Sequence, residues 1–335
     1  MKNWLIQQIC HFFPKKKKKE KEQKRVLVVS TTGLGDTLWA TPALRALKTQ
    51  NKDLFLSVLT SPIGFLALKD NPHIDRLFIF KSVAIFPLLK KLHFDTIYIF
   101  HASQRIIFPL CHFLSPTRLI GTAGINKGLD SLFTTLHPKL HEHEIHRRLG
   151  LIGMKEAPTE MEFSFASHEI PPVPAHSYGI HPGAHDPFKQ WDPNYYIELG
   201  NWLVKEHGAH LFISGSSHEL PLLTRIAQEI PGAKVLTLPL PLFAEHLKQF
   251  CCFITNDTGP MHLALALKVP TLALFGPTDP ELCGPLNTPF AQVIKVPATC
   301  HPCLKQKCHL PFCLEQLSVA RVIKEIKKMF PNLTR

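Results

Sequence analysis

Two α/β domains, each a doubly wound parallel sheet with helices on both faces, are predicted by three observations. Short β-type runs alternate with helical segments, and the strands read as near-continuous apolar stretches, the pattern of sheets buried on both faces. The same grammar restarts after a proline-rich break, SHEIPPVPAHS (167–177). Finally, 335 residues with 45% hydrophobic content can build more than one core.

In order along the chain, VLVVS (26–30) leads through TTGLGD into a helix reaching about Lys48. If Asp36 caps that helix, Pro42 lies beyond its first turn, so a kink or a later start is expected. LFLSVLT (54–60) is the second strand, with a helix near 63–69, and DTIYIF (95–100) is a third. Beyond the break come YGIHPGA (178–184), a helix over 193–206, HLFISGS (210–216), a helix over 218–229 and KVLTL (234–238). A helix over 242–250, CFITN (252–256), a helix over 259–268 and TLALFGP (271–277) follow. The division expected is a tail over 1–24, a domain over 25–168, a linker over 169–177 and a domain over 178–335. Such sheets bind ligands at the carboxyl ends of their strands, so the site is expected in a cleft between the halves.

The net charge of +12 is uneven, because residues 1–25 hold nine basic and only two acidic side chains. A local excess of this kind marks a patch for an anionic surface. The opening MKNWLIQQICHFFPKKKKKEKEQKR has its apolar part before its lysines, the reverse of a secretory signal. On a helical wheel Leu5, Ile6, Ile9, Cys10, Phe12 and Phe13 share one face, with Gln7, Gln8 and His11 opposite. An apolar face beside a polybasic run reads as a helix lying on an anionic membrane; the alternative is a solvated tail. No run approaches the ~18 apolar residues of a spanning helix. Nucleic acid is not expected as a partner, since no stacking aromatics interleave the lysines. Nine cysteines, an odd number, point to reduced thiols in a cytoplasm.

Three loops carry the chemistry of the second half. In TNDTGPMHLALALKVPTLALFGPTDP (255–280) a strand ends at Asn256, Asp257 or Thr258 can cap the next helix, and Pro260 suits its first turn. LALAL has no polar face, so that helix should be buried with its amino end open, where free N–H groups attract a diphosphate. Asp257 then suits sugar hydroxyls, and His262 can donate to a phosphate or hydroxyl; taken singly, they read as a cap and a core histidine. HPGAHDPFKQWDP (181–193) places Lys189 before a helix, as a point charge for phosphate or as a solvated lysine. In SGSSHEL, Glu219 follows a strand at the same end of the sheet, placed for ribose hydroxyls or for the helix dipole.

Elsewhere, Cys300, Cys303, Cys308 and Cys313 (C-x₂-C-x₄-C-x₄-C) have short spacings that a zinc ion or reduced thiols could both explain. HPKLHEHEIHRR (137–148) reads as an amphipathic helix with a wet face.

Together DTGPMHLALAL…PTLALFGPTDP, HPGA…KQW, SGSSHEL and GLGDTLWATPALRALK resemble glycosyltransferase family 9, the ADP-heptose:lipopolysaccharide heptosyltransferases, over about residues 25–327. The resemblance implies a GT-B fold, with acceptor on the N-terminal and nucleotide-sugar on the C-terminal domain; it places the 137–148 helix in the acceptor domain, with Arg147 or Arg148 available to anionic lipid headgroups. Asp36 falls on the family's general base. Lys189 falls on its diphosphate lysine and Glu219 on its ribose ligand. Asp257, Thr258, Gly259 and His262 match its D-T-G-x-x-H donor ligands. The chain departs where the family often has Lys-Arg-Trp-Pro, reading Lys189-Gln190-Trp191-Asp192. The expectation is an inverting heptosyltransferase acting on the lipopolysaccharide inner core, peripheral on the cytoplasmic membrane face. Its partners would be a nucleotide-sugar and an anionic glycolipid. No cofactor and no metal is expected, because no DxD-type pair lies near the motif and the lysine and helix dipole take the metal's place. Another nucleotide-sugar or acceptor, and a non-catalytic nucleotide-binding adaptor, are the alternatives.

Overall fold

The computed structural model of the chain describes residues 23–296 and 313–329, together with Asn3. The membrane reading of the tail and three of the clustered cysteines, Cys300, Cys303 and Cys308, lie outside the described residues; Cys313 is buried. The chain forms two compact units, 1–165 and 166–335.

In the N-terminal unit, β1 (Arg25–Ser30) leads to α1 (Leu34–Gln50), β2 (Phe55–Thr60), α2 (Pro62–Leu68) and β3 (Arg76–Ile79). Then come α3 (Phe86–Leu92), β4 (Thr96–His101), α4 (Ile107–Phe113), β5 (Arg118–Thr122), β6 (Thr135–His137) and α5 (Glu144–Leu151). The sheet order is β3-β2-β1-β4-β5-β6, parallel at every pairing. Leu27, Val28 and Val29 are fully buried, as a central strand covered on both faces requires.

The first helix corrects one expectation. Asp36 does not cap it: Gly33 is the N-cap, and Asp36 lies in the first turn. Nor does the helix start late, since it runs unbroken through Pro42. Proline removes the N–H that Leu38 O would have accepted. The Thr41 hydroxyl donates to that same carbonyl at 2.7 Å, which repairs the ladder locally. The histidine-rich segment is a second correction. Residues 138–143 are not helical; Pro138 follows β6, and α5 begins at Glu144 with His143 as its N-cap, Nδ1 accepting from Ile145 N at 3.1 Å.

The C-terminal unit repeats the plan with β7 (Ser177–His181), α6 (Pro193–His207), β8 (His210–Ser214), α7 (Leu220–Gln228), β9 (Lys234–Leu236) and α8 (Leu240–Leu247). β10 (Cys252–Asn256), α9 (Gly259–Ala266), β11 (Thr271–Phe275), α10 (Pro280–Cys283), β12 (Ala291–Lys295) and α11 (Val319–Met329) complete it. Its order, β12-β11-β10-β7-β8-β9, is that of the first sheet once strands are counted from β7. Both are therefore Rossmann-like, with switch points between β1 and β4 and between β7 and β10. The sequence explains α6 locally: Asp192 Oδ1 accepts from Asn194 N at 2.7 Å, Pro193 opens the first turn, and Gly208 closes the helix at φ 58°. The proline-rich stretch is tied to the C-terminal unit, with His168 N donating to Glu245 Oε1 at 3.1 Å and Val173 N to Gln249 Oε1 at 2.9 Å. No helix among the described residues is long and apolar enough to cross a membrane.

Candidate active-site residues on each unit

At the switch point of the N-terminal sheet, the loop after β1 and the last residue of β4 meet. Asp36 Oδ1 lies 3.2 Å from His101 Nδ1 and accepts from Arg148 Nη2 at 3.0 Å. A bulge aims the histidine: β1 and β4 pair Val29 with Ile99 but Ser30 with His101, so β4 carries one extra residue there. Arg148 is fully buried. Its Nη1 donates to Glu144 Oε2 at 2.5 Å and to Glu144 O at 2.9 Å, and its guanidinium lies 5.4 Å from the Trp39 ring centre. This corrects the sequence expectation for that residue, since a buried arginine held by two carboxylates cannot reach lipid headgroups. Arg147 pairs with Glu144 as well. Burial alone would raise the Asp36 pKa, but the His101 hydrogen bond and the Arg148 charge outweigh it and hold the carboxyl well below the usual range.

The C-terminal unit gathers its polar residues at the equivalent place, around Asn256. This fully buried amide donates from Nδ2 to Pro182 O at 2.8 Å, in the loop after β7. Its Oδ1 accepts from Tyr196 Oη at 2.9 Å and from Trp191 N at 3.3 Å. One side chain thus fixes the end of β10, the loop after β7 and the approach to α6. Trp191, itself 1% exposed, donates Nε1 to Leu317 O at 2.8 Å and anchors the far side of that loop.

Lys189, at the end of a 3₁₀ turn (Pro187–Lys189), donates Nζ to Asp257 Oδ2 at 2.6 Å. The expected phosphate lysine and sugar-hydroxyl carboxylate are therefore brought together. Asp257 is 5% exposed and Lys189 keeps 22%, so the ammonium is the more accessible partner. Thr258 is the N-cap of α9 by position, yet its hydroxyl makes no capping bond and instead lies 3.4 Å from Asn256 O. Thr258 and Gly259 are half-buried, while His262, one turn on, is 2% exposed among the packed side chains of α9.

Glu219 ends another 3₁₀ turn (Ser217–Glu219) and closes a capping box: its Oε2 accepts from Ser216 N and Ser216 Oγ, each at 2.8 Å. It also lies directly over Gly183, where an added Cβ would come within 1.7 Å of Glu219 Oε1. Glycine there lets a carboxylate from the β8 loop reach the β7 loop that Asn256 holds. Beneath it His181 is buried, which pulls its pKa down to about 4 against the opposing Glu219 charge; it stays neutral at pH 7.

Sequence reasoning missed His101 and Asn256, and assigned Arg148 to a surface role. A usable signal existed for two of them. His101 ends a strand beside the strand that feeds the Gly-rich loop, and Arg148 shares a helical stripe with Ile145 and Leu149, both buried.

The geometry can be set against known proteins. The model of glycosyltransferase family 9 (heptosyltransferase) matches residues 131–313, more than half of the chain. The chain belongs to glycosyltransferase family 9. Lipooligosaccharide heptosyltransferase 2 of Campylobacter jejuni is 26% identical over 332 residues, covering 92% of this chain and 99% of that protein. Among solved structures, the Escherichia coli ADP-heptose lipopolysaccharide heptosyltransferase II has TM-score 0.73 at 18% identity, covering 92% of this chain and 98% of that one. An E. coli heptosyltransferase solved with ADP has TM-score 0.72 at 19% identity, covering 91% and 99%. These likenesses extend the two-unit GT-B fold of family 9 across the chain. Membership makes the protein a glycosyltransferase, and the family match includes Lys189, Glu219 and the 257–262 motif.

Proposed function

We propose that the protein moves a heptose from ADP-heptose to the inner core of lipopolysaccharide with inversion at the anomeric carbon. The observation that carries this reading is the Lys189–Asp257 pair before the first turn of α9. A cation and the N–H groups of a helix amino end suit a pyrophosphate, and the adjoining carboxylate suits hydroxyls of the same ligand. A donor would compete with Asp257 for Lys189, and the freed carboxylate would then take a sugar hydroxyl. Glu219 over Gly183 supplies the second acid, for ribose. Thr258 and Gly259 offer backbone N–H groups, and His262 supports the helix that carries them.

Inversion needs proton removal from the acceptor hydroxyl and stabilisation of the departing diphosphate. The C-terminal residues serve the second need and the Asp36 cluster the first, with the acceptor held by the N-terminal unit. Charge neutralisation by Lys189 and α9 makes a divalent metal unnecessary in this reading. The names of the relatives support heptose and lipopolysaccharide as donor sugar and acceptor. The apolar face and lysines of residues 1–24 support a peripheral position on the cytoplasmic membrane face, where an anionic glycolipid would be met.

One observation favours a second reading with a different nucleotide-sugar. Gln190 stands where the family often has arginine, and its Nε2 is tied to Ala184 O at 2.8 Å. A panel of nucleotide-sugars tested by thermal unfolding separates the two. ADP-linked sugars should raise the melting temperature most, with stabilisation of about 2.7 kcal/mol at a hundredfold excess over Kd. A larger shift with UDP- or GDP-sugars favours the second reading.

A further inference from the structure

We propose that the N-terminal unit docks on an anionic lipid bilayer through the loops and helix starts at the carboxyl edge of its sheet, the edge that carries Asp36. The inference deepens the reading above by naming the face that meets the membrane, and it rests on that reading only for the acceptor.

Seven large apolar side chains are exposed among the described residues, and six of them, Ile63, Leu66, Val83, Leu88, Ile106 and Leu140, belong to the N-terminal unit. All six stand in the connections that leave the carboxyl ends of β2, β3, β4 and β6. Single exposed leucines are ordinary on any surface, whereas a set gathered on one edge marks an interface. Three of them share one side of the sheet. Val83 opens a 3₁₀ turn (Val83–Ile85), Leu88 lies in the first turn of α3 and Ile106 is the N-cap of α4. Their neighbours Phe86, Leu89, Ile107 and Phe108 pack into a single core. Burying those residues leaves Val83, Leu88 and Ile106 outside, at 51%, 46% and 41% exposure.

Charge selects a bilayer over a protein surface of mixed sign. Lys81, Arg105, Lys127 and Lys139 stand in the same connections, and 61–69, 80–92, 102–114, 123–129 and 138–141 contain no acidic residue. Apolar tips among cations suit a surface that sinks side chains to the headgroup boundary while its lysines meet anionic headgroups. Asn3 is a second, independent sign. It lies against Gly128 in the loop after β5, which brings the start of the polybasic tail to this edge. With the edge on the bilayer, a lipid-anchored acceptor reaches Asp36 without leaving its leaflet.

The full chain is mixed with vesicles of phosphatidylglycerol and phosphatidylethanolamine that carry a lipid with a diazirine in its acyl chain, then irradiated and mapped by mass spectrometry. Lipid adducts should fall within residues 80–92 and 102–114. Absence of adducts from both segments, whatever else is labelled, overturns the proposal. Combining Val83→Asp, Leu88→Asp and Ile106→Asp, all exposed, should lower vesicle partitioning about ten-fold or more with melting temperature and ADP affinity retained. The KM for a vesicle-borne acceptor should rise by a similar factor, while turnover of a deacylated, water-soluble acceptor stays unchanged. Partitioning of this variant within about two-fold of wild type overturns the proposal as well. Adducts and partitioning are read without any donor, so a wild type inert with every nucleotide-sugar fails the underlying reading and not this one.

Discussion

Replacing Asp36 by alanine should lower kcat about 10³–10⁴-fold while leaving the affinity for ADP and for the nucleotide-sugar within about two-fold. The split follows from where the residues lie. Asp36 belongs to the N-terminal unit, whereas Lys189, Glu219, Asp257 and Gly259 all belong to the C-terminal one. Removing Asp36 takes away the carboxylate that receives the acceptor proton in this reading, so the loss falls on the chemical step. Calorimetric titration with ADP and single-turnover kinetics measure the two halves separately. A parallel loss of donor affinity would place Asp36 in donor binding, and an unchanged turnover would leave it no part in the chemistry.

Arg148→Met should destabilise the N-terminal unit by about 3–5 kcal/mol, because it removes the fully buried partner of two carboxylates, Asp36 and Glu144, that are 23% and 17% exposed and leaves them only His101 and Arg147. The methionine fills part of the volume, so the loss is chiefly electrostatic. The pH dependence follows with a definite sign. The folded Asp36 pKa lies below its unfolded value near 3.9, so the folded state binds fewer protons as the carboxyl titrates. Its stabilisation is fully present above about pH 5 and is lost as pH falls through the ordinary carboxylate range toward the lower folded value. The variant should show a shallower acid loss, since Arg148 no longer holds the carboxylate. Hydrogen exchange of α1 and α5 amides at pH 7 and pH 4 reads this unit by itself. Equal protection in wild type and variant at pH 7 would contradict the assignment.

The repeated sheet was legible in the sequence because its central strands are long and apolar. Leu27–Val29 and Phe253–Thr255 bury both faces and leave no alternation to confuse with a half-exposed strand. The edges were not. β3, β5 and β6 have four, five and three residues, and two of them begin on an exposed arginine, which gives too short a pattern to register. The loop around Asp257 was legible because glycine, proline and a cap residue stand together at a strand end. His101 and Arg148 showed only their positions, at a strand end and on an apolar stripe, because their roles depend on contacts 65 and 112 residues away in sequence. Arg148 also sits in a segment whose four histidines suggest a wet helix, while the fold makes helix only from Glu144 onward. Asn256 was passed over beside Asp257, although a buried amide at a strand end must bond to something.

The central claim is tested most directly by incubating the full chain with ADP-heptose and a lipopolysaccharide acceptor that lacks its heptoses, or carries only the first. Mass spectrometry of the glycolipid should show one added heptosyl residue, formed with stoichiometric release of ADP and with opposite anomeric configuration to the donor. Release of ADP with retained configuration, or transfer only from a differently based nucleotide-sugar, would contradict the account.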